Sequence, residues 1–168
     1  MTESPDKWSE LKKTDATWTL FLDRDGVINH EKEGDYVRNR EEFHFIDGVL
    51  EAMPVFAGKF NRIFIVTNQK GIGKGLMTEK DLTEIHGYML ENITKSGGKV
   101  DHIYFCPDLD DNSFNRKPNP GMGLRAAADF PDVDLQKSVM VGNTMSDMQF
   151  GRALGALTIF IPSTKPAP

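Results

Sequence analysis

The sequence predicts a doubly wound, three-layer α/β fold around a central parallel sheet of about five strands. Short apolar runs alternate along the chain with longer stretches of helical period, which is typical of a parallel sheet covered by helices on both faces. The run over residues 62–67 is rich in β-branched residues and indicates a strand buried on both sides. Polar side chains directly follow several runs, as expected where strand ends share one crevice of a Rossmann-like sheet.

Composition restricts the possible function classes. At 168 residues the chain is long enough for one domain with a proper core. The net charge of −5 argues against a nucleic-acid partner, and a single cysteine, Cys106, fits a reducing compartment. No apolar run reaches the length of a membrane span, and the polar N-terminus lacks a signal-peptide core. We therefore expect a cytoplasmic monomer without nucleic-acid or membrane partners.

The strands are placed by apolar runs that end in polar or turn residues. Residues 1–15 are charged and contain a proline, so we expect an N-terminal extension followed by one domain over 16–168. The expected strands are residues 17–22, 62–67, 100–105, 138–141 and 157–161. A long charged connection over 24–46 follows the first strand, and a connection of that length is usually functional or disordered. No large insertion separates the strands, which predicts a minimal cap over the site.

Capping residues and breakers place the helices. Thr78-Glu79-Lys80-Asp81 resembles a capping box, and Gly97-Gly98 is a typical stop. Asn119-Pro120 fits an N-cap followed by a first helical residue. The expected helices run from Asp47-Gly48 to about residue 57 with Pro54 inside, from 79 to about 96, from 120 to 128, and from 146 to 154.

The first strand is followed by Asp23 and Asp25, and two carboxylates one residue apart point the same way if the chain stays extended. A polar turn alone would explain this pair. Thr67 and Asn68 follow the second strand, however, and a further polar set (Asn143 and Asp147) follows the fourth. Such oxygen ligands suit Mg²⁺, which in proteins is commonly bound together with a phosphate. With a cation from Arg116-Lys117-Pro118, the set suggests phosphoryl transfer to water through an aspartyl intermediate.

Four segments of the sequence resemble, in order, the four motifs of the haloacid dehalogenase-like phosphatases. They are FLDRDGVIN, the strand ending VTNQ, RKPNPGM and VGNTMSD, and the resemblance covers about residues 17–161. DRDGVIN, FHFIDGV and VTNQKGIGKG are most similar to the small-cap group that contains heptose bisphosphate and histidinol-phosphate phosphatases. The resemblance implies a Mg²⁺-dependent phosphomonoesterase for a small phosphorylated metabolite. It favours a sugar phosphate such as D-glycero-D-manno-heptose 1,7-bisphosphate, with histidinol phosphate as the alternative.

The same resemblance implies roles for individual residues. Asp23 would be the nucleophile and a Mg²⁺ ligand, and Asp25 the general acid and base, with its backbone carbonyl on the metal. Asn143 and Asp147 would complete the metal site. Lys117 would offset the charge of the phosphoryl group. The residues expected to contact the phosphoryl group or the substrate are Thr67, Asn68, Arg116, Tyr36 and Arg24.

Two features of the sequence, a loop and a single residue, depart from the pattern that the resemblance implies. Heptose and histidinol phosphatases carry a zinc-binding loop before the RKP motif, and the corresponding positions here are Cys106, Asp108, Ser113 and Asn115. Because a structural zinc site needs about four nitrogen or sulfur ligands, we expect no zinc, and we expect Cys106 to be a half-buried structural thiol. Asn143 stands where the family usually has aspartate. An amide oxygen carries no charge, so we expect a higher Mg²⁺ requirement than in relatives.

Three other functions fit the sequence less well. The Gly71–Gly75 segment resembles a phosphate-binding loop, but Gly73-Lys74 is followed by Gly75 rather than serine or threonine, so it does not match a P-loop. A DNA-end phosphatase would share much of the motif set, and the acidic chain argues against it. A non-catalytic phosphate-binding relative is suggested only by Asn143, and such a protein would not need a nucleophile at Asp23.

Overall fold

The computed structural model describes residues 7–164, and its centre is a parallel sheet of five strands. The strands are β1 (Thr19–Leu22), β2 (Arg62–Asn68), β3 (His102–Cys106), β4 (Ser138–Gly142) and β5 (Leu157–Phe160). Their order across the sheet is β3-β2-β1-β4-β5, and every neighbouring pair is parallel. The predicted doubly wound α/β fold is therefore confirmed, and β1 lies at the centre of the sheet.

Helices cover both faces of this sheet. They are α1 (Lys7–Leu11), α2 (Val49–Lys59), α3 (Lys70–Gly73), α4 (Glu79–Lys95), α5 (Gly121–Asp129) and α6 (Met145–Leu154). Two 3₁₀ turns lie at Arg40–Glu42 and Leu135–Lys137. Within residues 7–164, no helix has both the length and the apolar character that crossing a membrane requires.

Two of the helices begin with a reciprocal capping box. At α4, the Thr78 side chain accepts from the Asp81 backbone and the Asp81 side chain accepts from Thr78, as the sequence predicted. At α6, Thr144 and Asp147 make the same exchange. The second capping box was not predicted from the sequence.

The start of α5 differs from the prediction. The helix begins at Gly121, and Pro120 occupies the N-cap position without a side-chain cap. Asn119 does not cap the helix, because its Nδ2 donates instead to the backbone oxygens of Ser113 at 2.9 Å and Asn112 at 3.3 Å. The amide closes the preceding loop. A second difference is that Lys70–Gly73, expected to be loop, forms one helical turn.

The sheet separates two apolar cores. In β2, Ile63 and Ile65 face a core shared with α2 and α4, whereas Phe64 faces a second core with α5 and α6. This alternation explains why β2 is apolar along nearly its whole length. In the second core the ring centroids of Phe21 and Phe64 lie 5.6 Å apart, and Phe150 meets Phe21 edge to face at 6.3 Å.

The long connection after β1 is ordered against the body of the protein. Val37 and Phe43 are buried in the first core, and Asn29 forms an isolated antiparallel bridge with Phe45. The connection therefore forms a wall beside the carboxyl end of β1. Residues 1–6 of the expected N-terminal extension lie outside the described residues. In α1, Leu11 packs against the first core and Trp8 is 70 % exposed.

Gly142 lets α6 approach the end of β4. A Cβ atom built on Gly142 would collide with the Asp147 side chain, whereas one built on Gly58 in α2 would meet nothing within 4 Å. We expect Gly142→Ala to lower the free energy of unfolding by about 1–3 kcal/mol through overpacking. Gly58→Ala should raise it by about 0.4–1 kcal/mol through lower entropy of the unfolded chain. Urea unfolding of both variants measures these opposite changes in the free energy of unfolding. Equal changes in the two variants would contradict the close contact between Gly142 and Asp147.

Candidate active site

The carboxyl ends of β1, β2 and β4 meet in a cleft of about 240 Å³. The predicted site residues that line this cleft are Asp23, Asp25, Tyr36, Asn68, Arg116, Lys117, Asn143 and Asp147. Three sequence-distant strands and the loop after β3 contribute to it, as expected for ligand sites at the carboxyl ends of parallel strands.

Lys117 is the buried centre of the site. Its Nζ donates to Asp23 Oδ1 at 2.9 Å, to Asp147 Oδ1 at 2.7 Å and to the backbone oxygen of Val66 at 2.8 Å. All three ammonium protons therefore have acceptors. Removing one partner from a buried ion pair costs about 3–5 kcal/mol because the other charge is left uncompensated. Lys117 thus fixes both carboxylates and joins β1, β2 and α6.

The charges of this triad shift each other's ionisation. Burial and the nearby Asp147 charge raise the pKa of Asp23 to about 7, against the opposing effect of Lys117. Burial alone would lower the pKa of Lys117, but Asp147 and Asp23 outweigh it and raise that pKa above its ordinary value. Burial would likewise raise the pKa of Asp147, yet the charge and hydrogen bond of Lys117 hold it below the usual range. The carboxylates of Asp23 and Asp147 share the single positive charge of Lys117. The negative charge of Asp23 is the less fully balanced of the two, as its raised pKa shows.

Both carboxylate oxygens of Asp147 have protein partners. Its Oδ2 accepts hydrogen bonds from the Asn143 backbone at 3.0 Å and from the Thr144 backbone and hydroxyl at 3.1 and 3.0 Å, while Oδ1 is held by Lys117. The residue is 1 % exposed. Both oxygens therefore accept from protein donors, and a contact of Asp147 with Mg²⁺ stays a prediction. Asp147 positions Lys117 and shapes the loop that carries Asn143.

Three groups converge where the sequence predicted Mg²⁺. One end of the Asn143 side-chain amide lies 3.1 Å from Asp23 Oδ2 and 3.1 Å from the Asp25 backbone oxygen. Octahedral Mg²⁺ binds oxygens at 2.0–2.1 Å, so neighbouring ligand oxygens are about 3 Å apart. With the amide oxygen at this end, both distances fit the spacing of oxygen ligands that could bind one Mg²⁺ ion.

Asp25, close to Asp23 in the cleft, has its own set of hydrogen-bond donors. Its Oδ1 accepts from Arg24 Nη2 at 2.8 Å and Asn29 Nδ2 at 3.0 Å, and its Oδ2 accepts from Gln69 Nε2 at 3.0 Å. Burial would raise its pKa, but the Arg24 charge and the three hydrogen bonds together hold that pKa below its ordinary value. The contacts of Asp25 in this arrangement thus favour its ionised form.

Arg24 does not have the predicted substrate-contacting role. Its side chain is fully buried, and Nη1 lies 3.2 Å from Nε2 of His86. Because arginine only donates, His86 Nε2 accepts this bond, and burial together with the Arg24 charge lowers the His86 pKa to about 3. The prediction is corrected: Arg24 positions Asp25 from the protein side of the cleft.

The two predicted site residues in β2, Thr67 and Asn68, form hydrogen bonds with neighbouring residues. Thr67 Oγ1 accepts from Gln69 Nε2 at 2.9 Å. The Asn68 side chain exchanges two hydrogen bonds of 3.1 Å with the backbone of Lys117, which fastens the RKP loop to β2. Contacts of Thr67 and Asn68 with a phosphoryl group stay a prediction.

Tyr36 and Arg116 both line the cleft. The Tyr36 ring packs against Gly71, where a Cβ atom would lie 2.9 Å from the ring, and Lys74 Nζ lies 5.2 Å from the ring centroid. Arg116 Nε lies 3.5 Å from Asp111, and its Nη1 is buried without a partner in the described residues. The glycine-rich segment therefore supports the cleft wall.

Four contributors to the site were not predicted from the sequence: Asn29, Glu31, Gln69 and His86. Asn29 and Gln69 stand inside the quoted motifs, so their position beside the aspartates and Thr67 was a usable signal. His86 lies mid-helix in α4, and its contact with Arg24 has no local sequence signal. Cys106 is completely buried rather than half-buried, and burial raises its thiol pKa.

Comparison with known proteins gives the family. A family model described as "HAD-hyrolase-like" matches residues 114–166. The D-glycero-alpha-D-manno-heptose-1,7-bisphosphate 7-phosphatase of Campylobacter jejuni is 44 % identical over 80 % of this chain and 76 % of its own length. The protein of the same name from Burkholderia mallei is 39 % identical over 84 % of this chain and 78 % of its own length.

The solved structures agree with these relatives. The D,D-heptose 1,7-bisphosphate phosphatase of B. bronchiseptica, crystallised with magnesium and phosphate, matches with a TM-score of 0.78 and 33 % identity, covering 84 % of this chain and 78 % of that one. A putative HAD-like phosphatase from Mesorhizobium loti matches with a TM-score of 0.73 and 32 % identity, covering 84 % and 70 %. The chain therefore belongs to the haloacid dehalogenase-like hydrolases, in the phosphatase group that these relatives represent.

Proposed function

We propose that the protein hydrolyses a small sugar phosphate, of which D-glycero-D-manno-heptose 1,7-bisphosphate is the first candidate, through a phosphoryl group carried on Asp23. The observation that carries this proposal is the Asp23 carboxylate. Its Oδ1 is held 2.9 Å from Lys117 Nζ, and its Oδ2 faces the Asp25 carbonyl and the Asn143 amide. One oxygen is oriented and charge-compensated, and the carboxylate opens on the cleft.

In the first half of the reaction, an Asp23 oxygen forms a bond to phosphorus while the bond to the sugar oxygen breaks. The departing oxygen needs a proton, and Asp25 is the carboxyl group beside it. Because Arg24 favours the ionised form, Asp25 must take up a proton and loosen that contact before it donates. Lys117 stays bonded to Asp23 and offsets charge on the phosphoryl oxygens.

In the second half, water attacks the phosphorus and Asp23 leaves as a carboxylate. Asp25 accepts the proton of that water, and its low pKa in the described arrangement matches this ionised role. Asp23 Oδ2, the Asp25 carbonyl and the Asn143 amide oxygen would hold Mg²⁺. When bound, the ion neutralises phosphoryl charge and holds the phosphate in line with Asp23.

The cleft walls support a polyhydroxylated, doubly phosphorylated substrate. Arg116 offers a cation whose Nη1 has no partner in the described residues, and Lys32, ion-paired with Glu42 at 3.0 Å, also lines the cleft. The carboxylates of Glu31 and Asp35 can accept from sugar hydroxyls. The names of the relatives from C. jejuni and B. mallei favour the heptose bisphosphate.

A panel of sugar, nucleotide and amino-alcohol phosphates tests this function. The wild-type protein with Mg²⁺ should release phosphate fastest from the heptose bisphosphate, and Asp23→Asn should reduce release to the level of a protein-free blank because the nucleophile is lost. Asp134→Asn, at an exposed aspartate, is the matched control and should retain activity. Equal activity of the two variants would overturn the role of Asp23, whereas preference for histidinol phosphate would overturn only the substrate.

Removing the Arg24 charge should shift the pH profile. Without that cation the pKa of Asp25 rises, so whichever limb of the kcat/KM profile reports Asp25 moves to higher pH in Arg24→Met. Arg125→Met, at a largely exposed arginine, should leave the profile in place. A profile shifted to lower pH would contradict the assignment, provided circular dichroism shows a folded variant.

Asn143→Asp should lower the Mg²⁺ requirement. A carboxylate adds one negative charge to the proposed ligand set, so the Mg²⁺ concentration for half-maximal activity should fall by about tenfold or more. Activity measured against Mg²⁺ concentration checks this. An unchanged requirement would mean that residue 143 does not bind the ion.

A further inference from the structure

Glu31 lies directly behind the Asn143 amide. Its Oε2 is 3.3 Å from Asn143 Nδ2, on the side of the amide opposite to Asp23 and Asp25. Glu31 belongs to the connection that follows β1, and it is an exposed residue at the edge of the cleft. No motif quoted above includes it.

The Asn143 amide has two orientations with opposite consequences. With oxygen inward, it joins Asp23 Oδ2 and the Asp25 carbonyl as a third oxygen, and Nδ2 donates to Glu31. After half a turn, nitrogen points inward and donates to those same two oxygens at 3.1 Å each. The first orientation can bind a cation, whereas in the second an N–H group occupies the cation's place. An aspartate at this position would have no such second state.

Two residues, Glu31 and Thr164, lie at the end of the Asn143 amide that faces away from Asp23. Only one of them favours one amide orientation over the other. Thr164 Oγ1 lies 3.3 Å from the outer end of the amide, and a hydroxyl can accept from nitrogen or donate to oxygen. The Glu31 carboxylate can only accept, so it favours nitrogen outward. Gly26 leaves room for the amide, because a Cβ atom there would collide with the Asn143 side chain.

We propose that Glu31 is a positioning residue that holds the Asn143 amide with its oxygen toward the cation. Glu31 also places a negative charge one hydrogen bond behind residue 143, where the family resemblance implies a carboxylate. The missing charge at residue 143 is thereby partly replaced from the loop after β1. This inference rests on the proposed Mg²⁺ site.

Direct Mg²⁺ binding by isothermal titration calorimetry tests the proposal without an activity measurement. Glu31→Met removes both the acceptor and the charge, and it should weaken Mg²⁺ binding by about tenfold, as is typical of groups that orient metal ligands. Glu31→Gln keeps an acceptor and should weaken binding less. The matched control is Glu33→Gln, an exposed glutamate on the same loop, which should bind Mg²⁺ as the wild-type protein does.

The same substitutions in an Asn143→Asp background give the sharper result. A carboxylate needs no orientation and is repelled by Glu31, so Glu31→Gln should there strengthen Mg²⁺ binding or leave it unchanged. A loss of affinity in the wild-type background without a loss in the Asn143→Asp background supports the proposal. Equal losses in both backgrounds, or none in the wild-type background, would overturn it while the Mg²⁺ site stands. Failure of the wild-type protein and Asn143→Asp alike to bind Mg²⁺ would overturn both.

Discussion

The structure depends on one buried ammonium group held between two carboxylates. Lys117 Nζ bonds to Asp23 at the end of β1, to Asp147 in α6 and to the Val66 carbonyl in β2. Three elements that are distant in sequence are thereby fixed at one point of the sheet edge. Because a buried charge without partners is strongly destabilising, the same contacts that hold the fold together also orient Asp23, the proposed nucleophile.

Two neighbouring aspartates differ because their surroundings differ. Asp23 shares its cation with Asp147 and keeps one oxygen toward the cleft, whereas Asp25 has its own arginine and two amide donors. Their pKa values are shifted in opposite directions, Asp23 upward to about 7 and Asp25 downward. Pairs of carboxylates separated in this way commonly divide nucleophilic and proton-transfer work. The different pKa shifts of Asp23 and Asp25 depend on Lys117 and Arg24, which are both buried.

Much of this arrangement could be predicted from the sequence, because strand periodicity places Asp23 and Asn143 at one sheet edge. The sequence does not show which hydrogen-bond partner each side-chain atom has in the folded protein. Asp147 was expected on the metal, but the sequence does not show that its Oδ1 accepts from Lys117 and its Oδ2 from the loop at Thr144. The Glu31–Asn143 contact joins residues 112 positions apart, and no local sequence pattern predicts it.

The central claim is that Asp23 carries the phosphoryl group, and trapping that intermediate tests it most directly. In Asp25→Asn an aryl phosphate, whose leaving group needs no proton, should still phosphorylate the protein, while loss of the base slows hydrolysis. Acid quenching followed by peptide mass spectrometry should then find one added phosphoryl group on Asp23. Turnover of the aryl phosphate with no phosphoryl group on Asp23, or with the group on another residue, would contradict the account.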